Sequence, residues 1–199
     1  MNDPKPQRIK LTTPEFRGSY VNLIKPRAQK NDDGTLGDPK YGMLIALPKD
    51  HPDTKPFLIQ LMAAIQQASA QAHLVTGGIA KEKLKHYPIK DGKSIEGEQF
   101  ENFYCIRVSS KNKPDAIDKT GRALISEDDL YSGAVYRVCI SPFGWSNERG
   151  GKGVSIGLMS VLKVRDDEKF GGNGGDAKGD FSNFLEAGAA ATDDPLAGL

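Results

Sequence analysis

The stretch AVYRVCISPFGWSNERGGKGVSIGLMSVLKV, residues 134–164, decides the fold. Two runs of alternating apolar and polar residues flank a polar, glycine-rich segment, SNERGGKG. Alternation at a period of two marks strands that turn one face to a core. In the first run Tyr136, Val138 and Ile140 share a face, opposite Val135, Arg137, Cys139 and Ser141. The second run, 154–164, is a strand with Gly157 as a bulge or a point of close approach. SNERGGKG is then a hairpin connection. Next to it stands Trp145, the only tryptophan of the chain, with Arg149 and Lys152 close by in sequence. A tryptophan there either stacks on something outside the core or wedges beneath a barrel mouth.

Working outward, NFYCIRVSS (102–110) alternates in the same way, with Tyr104, Ile106 and Val108 against Cys105, Arg107 and Ser109. RGSYVNL (17–23) reads as a strand, and YGMLIAL (41–47) as a buried strand halted by Pro48. Between them, 29–40 is a polar turn region. Phe57, Leu58, Leu61, Met62, Ile65, Ala68 and Ala72 recur at helical spacing, and Gly77-Gly78 ends that helix. Residues 81–101 form an irregular excursion. Five or six strands with one helix and long connections predict a small α+β fold or a mainly-β barrel rather than parallel βαβ units.

The net charge of +1 conceals a strong asymmetry. Residues 166–199 carry eight acids against two lysines, a net of −6, so residues 1–165 carry +7. The expected organisation is a folded domain over 1–165 and a flexible acidic tail over 166–199. The tail is rich in glycine and alanine and lacks periodicity, a composition that cannot offset the entropy of ordering. Two apolar islands interrupt it: Phe181, Phe184 and Leu185, and a terminal segment with Asp193, Asp194 and Leu196. A purely solubilising tail has no need of them. There is no secretory h-region and no apolar run long enough for a membrane span, so the expected compartment is the cytoplasm. Cys105 and Cys139 lie in apolar strand-like runs and read as free thiols.

No catalytic constellation emerges. His51, His73 and His86 have no metal-ligand spacing, and the glycine-rich pieces match neither phosphate-binding fingerprint. No enzyme activity, metal or cofactor is expected. What remains is basic residues interleaved with aromatics on strand segments: Arg17 and Tyr20; Tyr104, Arg107, Ser109, Lys111 and Lys113; Tyr131, Tyr136 and Arg137; then Phe143, Trp145, Arg149, Lys152 and Lys163. Single-stranded nucleic acid is bound by stacking bases on aromatic faces while Lys and Arg follow the phosphates. A virion assembly protein with a regulatory acidic tail is the alternative from a different class.

Four stretches carry a resemblance. FRGSYVNLIKPRA with YGMLIALPKD, CIRVSSKNKPDAID, DDLYSGAVYRVCISPFGW and GGKGVSIGLMSVLKVRDDE together resemble the bacteriophage single-stranded DNA-binding proteins with an OB-fold. The resemblance implies an OB-fold-like five-stranded antiparallel barrel, sequence-independent binding of single-stranded DNA, and a role in replication or recombination. It also implies an acidic carboxyl tail. From its charge and apolar islands, the tail is expected to compete with DNA for the basic groove and, once displaced, to recruit a replication or recombination protein such as a polymerase, helicase or exonuclease; a homo-dimer is left open. The tip DDPLAGL departs from the pattern by lacking an aromatic terminal residue. The common OB order puts the helix after three strands, whereas here it follows two.

Overall fold

Alternating β-branched and aromatic residues do form the strands that pattern predicts, and three short strands join them. The computed structural model describes residues 8–30, 34–71, 87–95, 98–147 and 151–170. In chain order the elements are β1 (Leu11–Thr12), β2 (Phe16–Arg27), β3 (Lys40–Pro48), α1 (Thr54–Gln71), β4 (Ile89–Asp91), β5 (Phe103–Ser110), β6 (Asp115–Asp118), β7 (Val135–Asn147) and β8 (Gly151–Arg165). Tight 3-10 turns cover Gly92–Ser94 and Glu98–Phe100.

Five of the strands close a ring. β2 pairs with β3, β3 with β5, β5 with β8, β8 with β7, and β7 returns to β2. This is the OB-fold-like ring that the resemblance implies, with one correction. β5 runs parallel to β8 through Val108↔Ile156 and Ser109↔Gly157, and β6 is also parallel to β8, so the sheet is mixed rather than wholly antiparallel. The reason is geometric: around a closed ring with an odd number of strands, strict up-down alternation cannot be completed. The helix does follow only two ring strands, because β2 is a single twelve-residue strand.

The core is built from the inward face of each strand: Met43, Ile45 and Leu47 from β3, Ile106 and Val108 from β5, Val138 and Ile140 from β7, and Val154, Ile156 and Leu158 from β8. α1 contributes Phe57, Leu58, Leu61 and Ile65 to it. Pro56 lies in the first turn of α1, where its missing N–H has no helical acceptor to satisfy. Met62, which spacing places on the apolar face, is exposed, while Ala64 is buried. The predicted end of the helix at Gly77-Gly78 and the residue Ala72 lie outside the described residues.

A second, smaller cluster joins Leu44, Ala46, Phe100 and Cys105 on the outer side of β3 and β5. Part of the excursion after α1 thus folds back as β4 and the two 3-10 turns and covers that outer face at Leu44, Ala46 and Cys105. Burial pushes the Cys105 thiol up to about 11, as befits an inert core residue, and both cysteines are free. No helix among the described residues is long and apolar enough to cross a membrane.

Two boundaries move relative to the sequence reading. β7 and β8 continue to Asn147 and Gly151, so most of SNERGGKG is paired strand rather than loop. The last residues before the expected tail boundary are also not the last to pack. Phe170 N–H donates to the Ser132 carbonyl at 2.8 Å, so the segment after β8 stays on the barrel for five more residues. Acidic composition hid that contact. The remainder of the tail lies outside the described residues.

Candidate nucleic-acid interface

The outward face of the ring carries the chemistry. In β2, Arg17 and Ser19 alternate outward, opposite Ala46 and Leu44 of β3. Leu44 in turn faces Arg107 of β5, and Ser109 lies beside Gly157 of β8. Across the β7–β8 ribbon, Gly157 pairs with Ser141, Ser155 with Phe143, and Gly153 with Trp145. Arg17, Arg107, Ser109, Phe143 and Trp145 thus share the outward face of the sheet, on which the flap carrying Phe100 covers Leu44 and Ala46 between Arg17 and Arg107. Arg107 is exposed and makes no ion pair with a described residue.

Trp145 is neither a core wedge nor a freely projecting ring. Its Nε1–H donates to Ser155 Oγ at 2.9 Å, and its indole packs against Gly153. A Cβ at Gly153 would come within 2.5 Å of the indole Cζ2, so only glycine admits the ring there. The ring is thus held on the outer face of the hairpin. Phe143, two residues earlier on the same face, is 49% exposed. Arg149 lies outside the described residues; the backbone of Lys152 pairs with Ser146, but its side chain is likewise outside.

At the other end the surface deepens into a groove of about 830 Å³. Arg17, Ser19, Tyr20, Phe100, Phe103, Val135, Arg165 and Phe170 are among the residues that line it. The Tyr20 backbone is unusual. Its φ is +50°, the one positive value among the described non-glycine residues, at a cost of about 1–2 kcal/mol for an L-residue. The register explains it: Ser19 faces Leu44 but Asn22 faces Gly42, so β2 holds one extra residue. This bulge breaks the alternation and brings Ser19 and Tyr20 onto the same groove. Tyr20 is 52% exposed, and its ring centroid lies 6.3 Å from that of Phe100.

Arg17 is occupied by the chain's own acidic segment. Its guanidinium donates to the Glu168 carbonyl at 2.6 Å and to the Gly133 carbonyl at 3.1 Å, and Asp167 Oδ1 lies 3.6 Å away. The Phe170 ring covers it at 4.2 Å, a cation–π contact. The YSG motif makes this docking feasible. Tyr131 donates its hydroxyl to Asp166 at 2.7 Å, Ser132 accepts from Val21 N–H at 3.1 Å, and Gly133 adopts φ +112°. A Cβ at Gly133 would lie 2.1 Å from the Glu168 carbonyl oxygen.

Several expected interface residues have other roles. Tyr136 is 0% exposed; its hydroxyl donates to the Tyr131 carbonyl at 2.8 Å and accepts from Tyr131 N–H at 2.9 Å. Burial drives its phenol far above the ordinary range, and it cannot stack a base. The sequence signal was present, because Tyr136 shares its face with Val138 and Ile140. Tyr104 likewise belongs to the inward face of β5, where Lys49 Nζ sits 5.5 Å from its ring. Tyr131 and Lys163 anchor the acidic segment: Lys163 Nζ pairs with Asp166 at 2.6 Å and lies 4.9 Å from the Tyr131 ring. Arg137 reaches Glu15 at 3.5 Å, as does Arg165 at 2.9 Å; the Arg165 hydrogen bond is the main reason the Glu15 carboxyl titrates below its usual range. Lys111 is exposed and pairs with Asp38 at 3.3 Å, and Lys113 is exposed.

Phe100, Phe103, Arg165 and Phe170 were not singled out by sequence. Phe100 and Phe103 sit at the end of the irregular excursion, where no periodicity marks them. No cluster of three or more His, Cys, Asp or Glu among the described residues could hold a metal ion.

The comparisons with known proteins show the family and the fold. The family model of the single-stranded-DNA-binding protein of Enterobacter phage Enc34 matches residues 9–194. The chain belongs to this family. The Enc34-type family is one of DNA-binding proteins rather than enzymes. Protein p50 of Acyrthosiphon pisum secondary endosymbiont phage 1 is 30% identical over 175 residues, covering 83% of this chain and 89% of its own. The solved Enc34 protein in complex with single-stranded DNA is 26% identical, with a TM-score of 0.69 over 81% of this chain and 89% of that one. Phage T7 gp2.5, a single-stranded DNA binding protein at 16% identity, shares the fold with a TM-score of 0.56, covering 94% of this chain and 100% of that one.

Proposed function

We propose that this Enc34-type protein binds single-stranded DNA without sequence preference during phage replication or recombination, in the host cytoplasm. Bases stack on Tyr20, Phe143 and Trp145, while Arg17, Arg107 and Lys152 meet phosphates. The observation that carries the reading is that the Arg17–Tyr20 groove and the Phe143–Trp145 hairpin lie on the same outward face of the sheet, in a chain whose relative is solved with single-stranded DNA. Such a face needs no base code: every base has a stackable face, and each stack contributes roughly 1–3 kcal/mol.

The acidic tail competes with DNA for the groove and, once displaced, recruits a polymerase, helicase or exonuclease. Phe181, Phe184, Leu185 and Leu196 serve as apolar anchors among acids that include Asp193 and Asp194. The contacts of Asp167 and Phe170 with Arg17 support the first half of this reading, because they already fill a phosphate- and base-binding residue. A tethered tail also acts at an effective concentration on the order of millimolar.

Trp145, as the lone tryptophan, reports binding directly. Titration with oligo-dT, oligo-rU and duplex should change its fluorescence with dT at far lower concentration than with duplex. An unchanged signal with dT, together with no retardation of dT on a native gel, would reject the function. Equal response to rU would assign the face to RNA as well, since only 2′-hydroxyl contacts separate the two.

A further inference from the structure

Glu15 stands just ahead of β2, between two points where the backbone is pinned to β7. On one side Thr13 N–H donates to the Val138 carbonyl at 3.0 Å, and the Thr13 hydroxyl accepts from Val138 N–H at 3.1 Å. On the other, Phe16 pairs with Tyr136. The carboxylate is therefore a fixed charge of the ring, unlike that of Asp167, which belongs to the segment after β8. Its Oε2 accepts from Arg165 at 2.9 Å, and its Oε1 lies 3.5 Å from Arg137. Two partly exposed guanidiniums thus share one carboxylate. The Arg165 hydrogen bond keeps Glu15 below its usual range, so it is ionised at neutral pH.

The register brings this cluster to the groove. Arg17 of β2 pairs with Val135 of β7, and Val135 pairs with Arg165 of β8. The two arginines therefore flank a buried valine across adjoining strands, with their backbones about 10 Å apart. Glu15, Arg17, Val135 and Arg165 all line the groove.

Building on the single-stranded DNA reading above, we propose that Arg165, with Arg137 beside it, forms a further phosphate subsite at the end of the groove, and that Glu15 is the fixed competitor that lowers its affinity. A carboxylate and a phosphodiester offer a guanidinium the same partner, oxygens that accept its N–H groups in one plane. Glu15 occupies on Arg165 the position that a phosphate would take. Exposed ion pairs of this kind are individually weak, so one anion readily exchanges for the other. Departure of the acidic segment clears Arg17 but leaves Glu15 in place, because Glu15 is held by the ring itself. Each binding event then exchanges Glu15 for a phosphate at Arg165. The strand is held less tightly than the arginines alone would hold it, which eases its release.

The test compares the unsubstituted full chain with Glu15→Gln, Arg165→Gln and the double variant, by anisotropy of labelled oligo-dT, with thermal melts to establish folding. Measurements run from low salt to about 0.15 M, where charges beyond a Debye length of about 8 Å are screened. Glu15→Gln should bind dT about 3- to 5-fold more tightly, the scale of one exposed ion pair. Its log–log salt slope should steepen by up to about 0.7, one further phosphate neutralised. Arg165→Gln should weaken binding by a similar factor. In the Arg165→Gln background, the Glu15 substitution should gain less than about 1.5-fold, because the two residues act on one contact. An equal gain in both backgrounds at about 0.15 M salt would make Glu15 a general charge and overturn the subsite. So would unchanged dT affinity in folded Glu15→Gln. Should that variant not fold, Arg165→Gln decides alone, and unchanged affinity in it would overturn the proposal while leaving the broader reading in place. Failure of the unsubstituted chain to bind dT would overturn both.

Discussion

The guanidinium of Arg17 lies 4.2 Å from the centre of the Phe170 ring and within 3.6 Å of the Asp167 carboxylate. A cation aimed into the groove is thereby covered by an aromatic ring and an anion from the same chain, the two groups that a nucleotide would bring. Cutting the chain after Arg165 removes both, and should tighten oligo-dT binding at low salt. Phe170→Ala should produce part of that gain. Fluorescence anisotropy at low and moderate salt checks it, and the gain should shrink as salt screens the acidic segment.

Gly133 offers an independent handle on the same contact. Alanine there would be strained at φ +112° and would meet the Glu168 carbonyl. Gly133→Ala should lower stability by more than about 1 kcal/mol and, in the fraction that folds, release the acidic segment. Protease nicking near residues 166–170 should accelerate and low-salt DNA affinity should rise. Unaltered nicking would mean that the segment detaches regardless of Gly133.

Tyr136 and Phe143, both aromatics of β7, should separate stability from binding. Tyr136→Phe strands Tyr131 N–H and should cost about 1–3 kcal/mol in urea denaturation, with DNA affinity little changed. Phe143→Ala should do the reverse, with a loss of about 1–3 kcal/mol in dT binding and a small change in stability.

The acid limb of stability should trace to hydrogen-bonded carboxylates. The Thr120 hydroxyl, with help from its N–H and from Arg122, pulls Asp118 down to about 2. A carboxyl depressed in the folded state stabilises above its ordinary pKa and loses that contribution as pH falls through the folded value. Thermal melts should therefore decline between about pH 4 and pH 2. Asp118→Asn should flatten that decline. Asp166, also lowered, chiefly by Lys163, stays charged throughout the neutral range, so salt rather than pH should govern release of the acidic segment there.

The strands were legible in sequence because their period of two is enforced by a one-sided core: Ile106 and Val108, Val138 and Ile140, and Val154 and Ile156 all point where alternation puts them. The same rule, taken at its word, already assigns Tyr136 and Tyr104 inward; their chemical suitability for stacking competed with their position. Tyr20 shows the opposite case. Its outward turn depends on a bulge, and an extra residue in one strand leaves no mark until the partner's register is known. Phe100 and Phe103 escaped notice because their place is set by the flap folding onto Leu44 and Ala46, a contact made across the sheet rather than along the chain. The parallel pair β5–β8 was implicit in the odd strand number of a closed ring.

On the proposed reading, phosphates follow the outward face past Arg107. The most direct test is the salt dependence of oligo-dT affinity for the full chain and for Arg107→Ala, measured by anisotropy from low to physiological salt. The log–log slope for the full chain should be steeply negative, at about −0.7 for each phosphate neutralised, and Arg107→Ala should be flatter by about 0.7. A slope near zero for the full chain, or identical slopes for the two proteins, would contradict it.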